Sequence, residues 1–549
     1  MPETNSSAPD SPTSNGKDKN QETPSAWYID RLTQFAMRSS RFFLHPGEHY
    51  QPFVRFLSGQ QPSYPSRSLE TTSEDFRFVY VYKFSRSEPM HVSSYDAING
   101  CHWFHEDYKT DGGTNRLIFM RGFPSPGWIG VLGSTCSINP EYFRQHLDFL
   151  QTKKFYDLPS LPSHSSCIIR LKVTSICSRN VPISIDTLSQ IRETETNLTR
   201  KYQRLLGQTG LVGGSIIRRL SVHNESLFTL DQTISCWLKR DEKGYTAVIW
   251  LDAGRLLSQK DITLWFPTAV PNGHTPDQCF PVLYNPLDSA PRNPTIRFVN
   301  SRTLSPSHSV RPGGVGQYLS QNTTLLAEQY GKTLDLDRMT ENPLHALSEL
   351  FGFAAHSEWQ FLNMMSSLIN DDLRSFEQHM EFSLSNLKYS KALLDEHIDH
   401  IAATIASTKP HLVNEQSNST AISDGLQHQL TNYEELSKKA QSLSALCTEG
   451  TTIIANHAML IESKKATVQA EGVTRLTLLA YYFLPLNLIT SFFGMNFKEN
   501  GTGKIGLWLT FVVLVPIFVL SCVLAYPLLP PFNRCSVLGR RRERSEVME

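Results

Sequence analysis

The spacing of apolar residues changes character twice along this chain. From Trp27 to about Leu350, short apolar runs alternate with polar connections. Phe76–Tyr82 is aromatic and β-branched, Cys167–Val173 repeats the pattern, and Thr233–Leu238 and Thr246–Leu251 flank a turn at Asp241–Gly244. Such runs predict strands, the last two forming a β-hairpin. A Pro/Gly-rich connection at Gly122–Gly127 precedes Asn139-Pro140-Glu141. That tripeptide predicts a short helix to Leu150, with Asn139 as N-cap and Pro140 at the first position. Phe266–Gly316 is dense in Pro, Asn and Ser and predicts a long insertion or loop.

Beyond about Asn342 the period becomes helical. Phe361, Met364/Met365, Leu368, Leu373, Phe376 and Met380 recur at three-to-five spacing, and Leu384, Leu387, Leu394, Ile398 and Ile401 extend the stripe. Lys409-Pro410 is expected to end that helix, with a polar loop at Asn414–Asp424. Leu426, Leu430, Tyr433, Leu436, Ala440, Leu443 and Cys447 restart the stripe, and Ile454, Met459 and Ile461 carry it on with no proline before Pro485. A helix of that length entering an apolar run predicts a rod between a cytosolic body and a membrane.

The third regime is continuous apolarity. Leu476–Met495 holds no charged residue and is about 20 residues long, the length a helix needs to cross a hydrocarbon core; Ile505–Tyr526 is a second such run. Pro485 and Pro516 are tolerable there when neighbouring helices satisfy the freed carbonyls. Only Phe497–Lys504 joins the two runs, so they predict a tight hairpin. Arg534, Arg540, Arg541, Arg542 and Arg544 follow, and the positive-inside rule places both termini in the cytoplasm and the short loop outside. The arginines are expected to set topology and meet anionic headgroups, a cationic collar around a cytosolic mouth being the other reading. Asn500-Gly501-Thr502 matches a glycosylation acceptor but sits too close to the membrane surface to be expected in modified form.

The organisation expected is therefore a disordered tail over 1–25, an α/β domain with loop insertions over 26–341, and long helices over 342–475. Transmembrane helices over 476–496 and 505–526, an external loop over 497–504 and a basic tail over 527–549 complete it. The fold class is an α+β cytosolic domain followed by long helices and a two-helix transmembrane hairpin. The protein is expected to be integral to a plasma membrane or endomembrane.

Composition adds exclusions. The 549 residues balance to zero formal charge, which gives no pull toward nucleic acid. The nine cysteines lack a C-x-x-C pair, so reduced thiols are expected rather than a disulfide scaffold or structural zinc site. No P-loop, dinucleotide fingerprint, H-E-x-x-H or G-x-S-x-G motif occurs; neither an enzyme, nor an ATP-driven pump, nor a tightly bound cofactor is expected.

The stretch Arg475–Phe497 ends its apolar run in Gly494-Met495-Asn496, a little over two turns past Pro485, with a second span close behind. It resembles the first transmembrane helix of the CorA family of divalent-cation channels, including its Gly-Met-Asn signature. The upstream layout fits the same family, and Trp128-Ile129 through Pro140, Phe143 and Leu147 is distantly similar to its cytosolic domain. The resemblance implies a homopentamer whose first span lines a gradient-driven pore, with Mg²⁺ as the transported ion and a possible regulator.

Mg²⁺ sheds its octahedral water shell reluctantly, and a ring of carboxamide oxygens accepts hydrogen bonds from that shell without trapping the ion. Asn496 is expected to supply the ring and so to hold the metal through its water. Gly494 allows close backbone approach, and Met495 packs. Helical spacing back from Asn496 places Ser491/Phe492, Asn487, Leu484, Ala480 and Leu476 on about one face. Asn487 is the strongly polar amide within the span, and Leu484 and Leu476 fall where apolar rings gate by dewetting or simply pack.

The outer loop departs from the family's acidic pattern, setting Glu499 against Lys498 and Lys504, which lowers the local cation concentration. A non-conducting, membrane-anchored interaction protein with the same fold is therefore the alternative, as is the zinc-transporting branch; Co²⁺ and Ni²⁺ also stay open. Asp371-Asp372 and Asp395, Glu396, His397, Asp399 and His400 present groups able to bind divalent ions between subunits, though a solvated polar face suits them better.

Overall fold

The computed structural model describes residues 24–59, 76–86, 89–98, 100–110, 115–150, 168–241, 244–258, 278–284, 318–319, 321–416, 424–494 and 507–525. The expected tail, most of the Phe266–Gly316 insertion, the external loop and the basic tail lie outside these residues. The chain divides into two compact units, Met1–Glu449 and Gly450–Glu549.

In chain order the first unit begins with helices α1 (Pro24–Ala36) and α2 (Gln51–Leu57), then strands β1 (Arg77–Phe84) and β2 (His91–Asp96). Helix α3 (Gly100–Thr110), strand β3 (Asn115–Arg121), helices α4 (Pro126–Cys136) and α5 (Pro140–His146), strand β4 (Ile168–Ser178) and helix α6 (Ile185–Thr209) follow. Strands β5 (Arg219–Val222), β6 (Leu227–Asp241), β7 (Gly244–Leu251), β8 (Leu257–Ser258), β9 (Gln278–Cys279) and β10 (Tyr318–Leu319) come next. The long helices are α7 (Pro343–Ser375), α8 (Met380–Gln416), α9 (Asp424–Gly494) and α10 (Leu507–Ala525).

The main sheet runs β2-β1-β3-β7-β6-β4-β9, with β5 also on β6. Pairing is antiparallel except between β3 and β7. Alternation explains its burial on both faces. Val79, Val81, Ile118 and Met120 pack with α1, α4 and α5 around Trp128 and Trp250. Tyr80 and Tyr82 point the other way, where their hydroxyls donate to Glu328 Oε1 (2.8 Å) and to the Ala327 carbonyl (2.7 Å). A second core joins α6 to β5 and β6 through Leu188, Ile191, Tyr202, Leu220 and Leu230.

Local chemistry sets the helix starts. Asn139 Oδ1 accepts from the Glu141 amide (2.9 Å), with Pro140 in the first turn, and Ser125 does the same for α4 through the Trp128 amide (3.3 Å). The α5 helix stops at His146, and a 3-10 turn carries the chain to Leu150. The loops after β3 and β7 cross at glycines. Gly122, at φ +68°, donates to the Leu251 carbonyl (2.7 Å), and a Cβ there would sit 2.6 Å from the carbonyl oxygens of Gly213 and Gly214.

Several expectations need correction. The apolar stripe through Phe376 and Met380 is not one helix: the chain turns at 376–379, so α7 and α8 pack on each other and on β4. Lys409-Pro410 does not end its helix, since α8 continues to Gln416 and takes in Asn414. Pro410 is exposed and lies within two turns of the helix end, so water can satisfy the carbonyl its ring frees. The rest of that expected loop, 417–423, lies outside the described residues. The helices through Glu449 are part of the first compact unit rather than separate from the α/β domain. Cys177 and Cys279 form a disulfide where reduced thiols were expected; they are 102 residues apart in sequence and become opposite partners between β4 and β9.

The glycine crossing generates a test. Gly122→Ala is expected to lower unfolding stability by about 2–4 kcal/mol, because the clash is with backbone and the φ is left-handed. Gly59→Ala, also at positive φ but with open space around its Cβ position, is expected to cost under about 2 kcal/mol. Denaturant melts of the two variants check the difference.

Candidate functional site

Two buried networks hold the first unit together. In one, the Lys172 ammonium on β4 lies 3.0 Å from Asp231 Oδ2 on β6 and 3.0 Å from His397 Nε2 on α8. His397 Nδ1 lies 2.6 Å from Glu358 Oε1 on α7, and its ring stacks on Phe361 at 4.0 Å. Thr174 Oγ1 donates to Asp231 Oδ1 (2.9 Å), while the Ser357 hydroxyl both accepts from the Thr174 amide (2.7 Å) and donates to its carbonyl (2.9 Å). Burial disfavours the imidazolium and lowers the His397 pKa. The neutral ring with its proton on Nδ1 then donates to Glu358 and accepts from Lys172. Burial pushes the Asp231 carboxyl up, but the charge and hydrogen bond of Lys172, with the Thr174 hydroxyl, outweigh it and bring the pKa down to about 2.

In the other network, Asp252 at the end of β7 receives Arg218 twice, at 2.7 and 2.8 Å, and lies 2.9 Å from His146 Nε2. His146 Nδ1 is 2.7 Å from Ser235 Oγ, and the ring stacks on Trp250 at 3.8 Å. A Ser, His and Asp in contact invite comparison with a hydrolase triad. All three are buried to within 1% of full exclusion, so no substrate reaches the hydroxyl. The trio instead ties α5 to the sheet.

These networks decide the fate of the acidic segment. His397 is a core residue, not a surface ligand. Asp395 accepts from Lys391 Nζ (2.7 Å) and Ser444 Oγ (2.6 Å), Glu396 pairs with Arg219, and Asp372 accepts from Asn386 Nδ2 (2.8 Å). Among the described residues no group of three or more His, Cys, Asp and Glu is placed to hold a metal ion. Lys172 and Asp231 had a signal in the sequence: each is a charge inside a strongly apolar strand, which requires a buried partner.

In the second unit, α9 ends at Gly494. Helical geometry brings Leu476, Ala480, Leu484, Asn487 and Ser491 to about one face, and all five are exposed, Leu476 and Leu484 to 66% and 70%. Thr490 turns inward on its own helix, donating to the Leu486 and Asn487 carbonyls (both 3.0 Å). Met495, Asn496 and Glu499 lie outside the described residues. The 19-residue α10 holds no charged residue and exposes Trp508, Phe511, Val515 and Val523. Among the described residues, no helix is long and apolar enough to cross a membrane; Leu507, Thr510, Leu524 and Ala525 of α10 have side chains outside that set.

Two outcomes are expected of the networks. Lys172→Met leaves Asp231 buried without its cation and should cost about 3–5 kcal/mol, whereas Lys172→Met with Asp231→Leu should recover much of it, as read by urea unfolding. Burial also holds His146 down to about 4 and His223 down to about 3, against 6.5 for an ordinary histidine. Each depressed histidine stays neutral in the fold but takes a proton on unfolding. Stability is therefore intact above about pH 6.5 and falls as pH drops toward 4. The melting temperature should decline over that window, with a shallower slope in His223→Gln.

Residues 369–529 match the family model described as CorA-like Mg2+ transporter protein. No curated protein matches the chain.

Proposed function

We propose, from the similarity of residues 369–529 to the family model described as CorA-like Mg2+ transporter protein, that the chain is one subunit of a homo-oligomeric divalent-cation channel, Mg²⁺ first, in which α9 lines the pore. The matched segment contains both charge-free runs, Leu476–Met495 and Ile505–Tyr526, each long enough in sequence to cross a bilayer as a helix. One helix cannot enclose a path, so several copies around an axis are required, and a pentamer is the family's arrangement.

The carrying observation is the exposed face of α9. A helix turned to water would not present Leu476 and Leu484 in line with Asn487 and Ser491. A helix facing a narrow wet path would, with leucine rings closing it by dewetting and amide and hydroxyl groups resting the hydrated ion. The face leads to Gly494, Met495 and Asn496, where a carboxamide ring would accept hydrogen bonds from the water shell of Mg²⁺ and let the ion leave again. The ion is cargo driven by its gradient and the membrane potential. Both termini lie in the cytoplasm in this reading.

The outer loop favours a second reading. Glu499 is outnumbered by Lys498 and Lys504, a charge balance that repels cations from the mouth and fits an anchored, non-conducting relative. Uptake into liposomes carrying a Mg²⁺-sensitive dye separates the two. Wild-type protein should conduct, and Asn496→Ala should slow uptake roughly tenfold or more. No wild-type uptake, where an established family member conducts, would leave the anchored reading. Repeating the assay with Zn²⁺, Co²⁺ and Ni²⁺ ranks the cargo.

A further inference from the structure

The disulfide between Cys177 and Cys279 sits at the edge of the main sheet. Cys177 is sealed in the core beneath α6, while Cys279 is half-buried on β9 and followed by Phe280, which is 49% exposed. Among the described residues Gln278 and Cys279 stand in register against β4, as a short edge strand. Among the described residues the chain beyond it is held by buried Val282, by the edge contact of the Tyr284 ring with His356 on α7 (5.1 Å) and by a handful of hydrogen bonds. The Phe280 amide donates to the Ile176 carbonyl (2.8 Å), and Val282 exchanges hydrogen bonds with the Asn322 side chain (3.0 and 2.9 Å). Gln360 on α7 takes the Leu283 amide (3.2 Å) and donates to the Pro281 carbonyl (3.3 Å). Residues 278–284 thus form a strap from the edge of β4 to α7, the helix that carries Glu358 of the Lys172 network.

We propose that Cys177–Cys279 is a thiol–disulfide exchange site, opened by small thiols of the glutathione class, whose reduction frees the strap from β4. Cys279 is the more exposed of the two residues, so an incoming thiolate bonds to Cys279 Sγ while the bond to Cys177 Sγ breaks and Cys177 leaves as a thiolate. Burial disfavours that anion, and it takes a proton from solvent or from a second thiol. The Ser175 carbonyl, 3.8 Å from Cys177 Sγ, is placed to accept from the new S–H. A second thiolate attacks the outer sulfur of the mixed disulfide and releases Cys279. One protein disulfide and two thiols become two protein thiols and one small disulfide. Among the described residues the remaining contacts of the strap with the β4 edge are the two-residue pairing and the Phe280–Ile176 hydrogen bond, and short isolated pairings of that kind are marginal in water. By contrast, burial pushes the thiol of Cys136 up to about 12, so it stays protonated and inert.

The reagent class rests on the proposed topology, which puts this unit where thiols are plentiful; the exchange itself does not depend on transport. The full chain in detergent is equilibrated in glutathione buffers stepped from disulfide-rich to thiol-rich, acid-quenched, alkylated and peptide-mapped, with amide hydrogen exchange on the same samples. Cys177 and Cys279 should convert together. The Phe280 and Val282 amides should then lose protection at least tenfold, while Gly122 and Phe123 stay unchanged. Cys279→Ser should show the open pattern in every buffer, and if it folds poorly the wild-type comparison stands alone. Free thiols at the disulfide-rich end, no conversion at the thiol-rich end, or equal protection in both states would overturn the proposal. None of these outcomes involves flux, so its failure leaves the channel reading where it was.

Discussion

A charge taken out of water has to meet its match inside the protein, and the first unit is built around two places where that requirement is satisfied. Lys172 and Asp231 face each other between adjacent strands at 3.0 Å, and His397 brings α8 to the same ammonium. Without the helices the sheet would expose this pair; without the pair the helices would meet an apolar sheet face with no preferred register. Buried ion pairs add little net stability over well-packed apolar groups, but removal of one member is costly. Their contribution is positional. Glu358, Phe361 and His397 fix how α7 and α8 lie on β4, in the same way that Arg218, Asp252 and His146 fix α5 and the turn after it.

The second unit is under the opposite constraint. The last four turns of α9 and all of α10 contain no charged side chain, and within one chain many of their apolar residues, Leu484, Leu488, Phe511 and Val523 among them, are exposed. A helix that is apolar around its circumference is stable only when something apolar surrounds it, either lipid or further copies. Asn487 and Ser491 narrow the choice on α9. An amide facing hydrocarbon lacks partners, whereas one facing other copies around a wet axis has them. The polar residues thus fit the assembly proposed above, and the apolar ones the lipid proposed around it.

Much of this was visible in the sequence, for reasons that differ by element. Strands β1, β4 and the β6–β7 hairpin declared themselves because they are aromatic and β-branched, and Asn139-Pro140 marked its helix because capping chemistry is local. Helix α6 escaped notice although its buried positions are periodic: two of them, Glu195 and Thr199, are polar. Glu195 is held there by Tyr389 (2.7 Å) from α8, a partner nearly two hundred residues away. The turn between α7 and α8 was hidden by Phe376 and Met380, which keep the apolar rhythm across it. Cys177 and Cys279 carry no local sign of each other, since only sheet topology brings them face to face. The similarity of residues 369–529 to CorA-like proteins was legible because long charge-free runs and a Gly-Met-Asn tripeptide are visible residue by residue.

The placement of polar groups along α9 also bears on the basic outer loop. If cations were gathered by carboxylates at the mouth, Lys498 and Lys504 would oppose the function directly. In an amide-based pore the selective step is instead the fit of a hydrated shell to a ring of neutral oxygens, which two lysines per copy weaken only through the field they set up. That field is screened over about 8 Å at physiological ionic strength. In the proposed channel a penalty of this kind would lower the entry rate and make it depend on salt, while leaving the order of preference among cations to the amide ring proposed at Asn496. On that proposal the charge of residues 498–504 and the chemistry of the amide ring are separable properties.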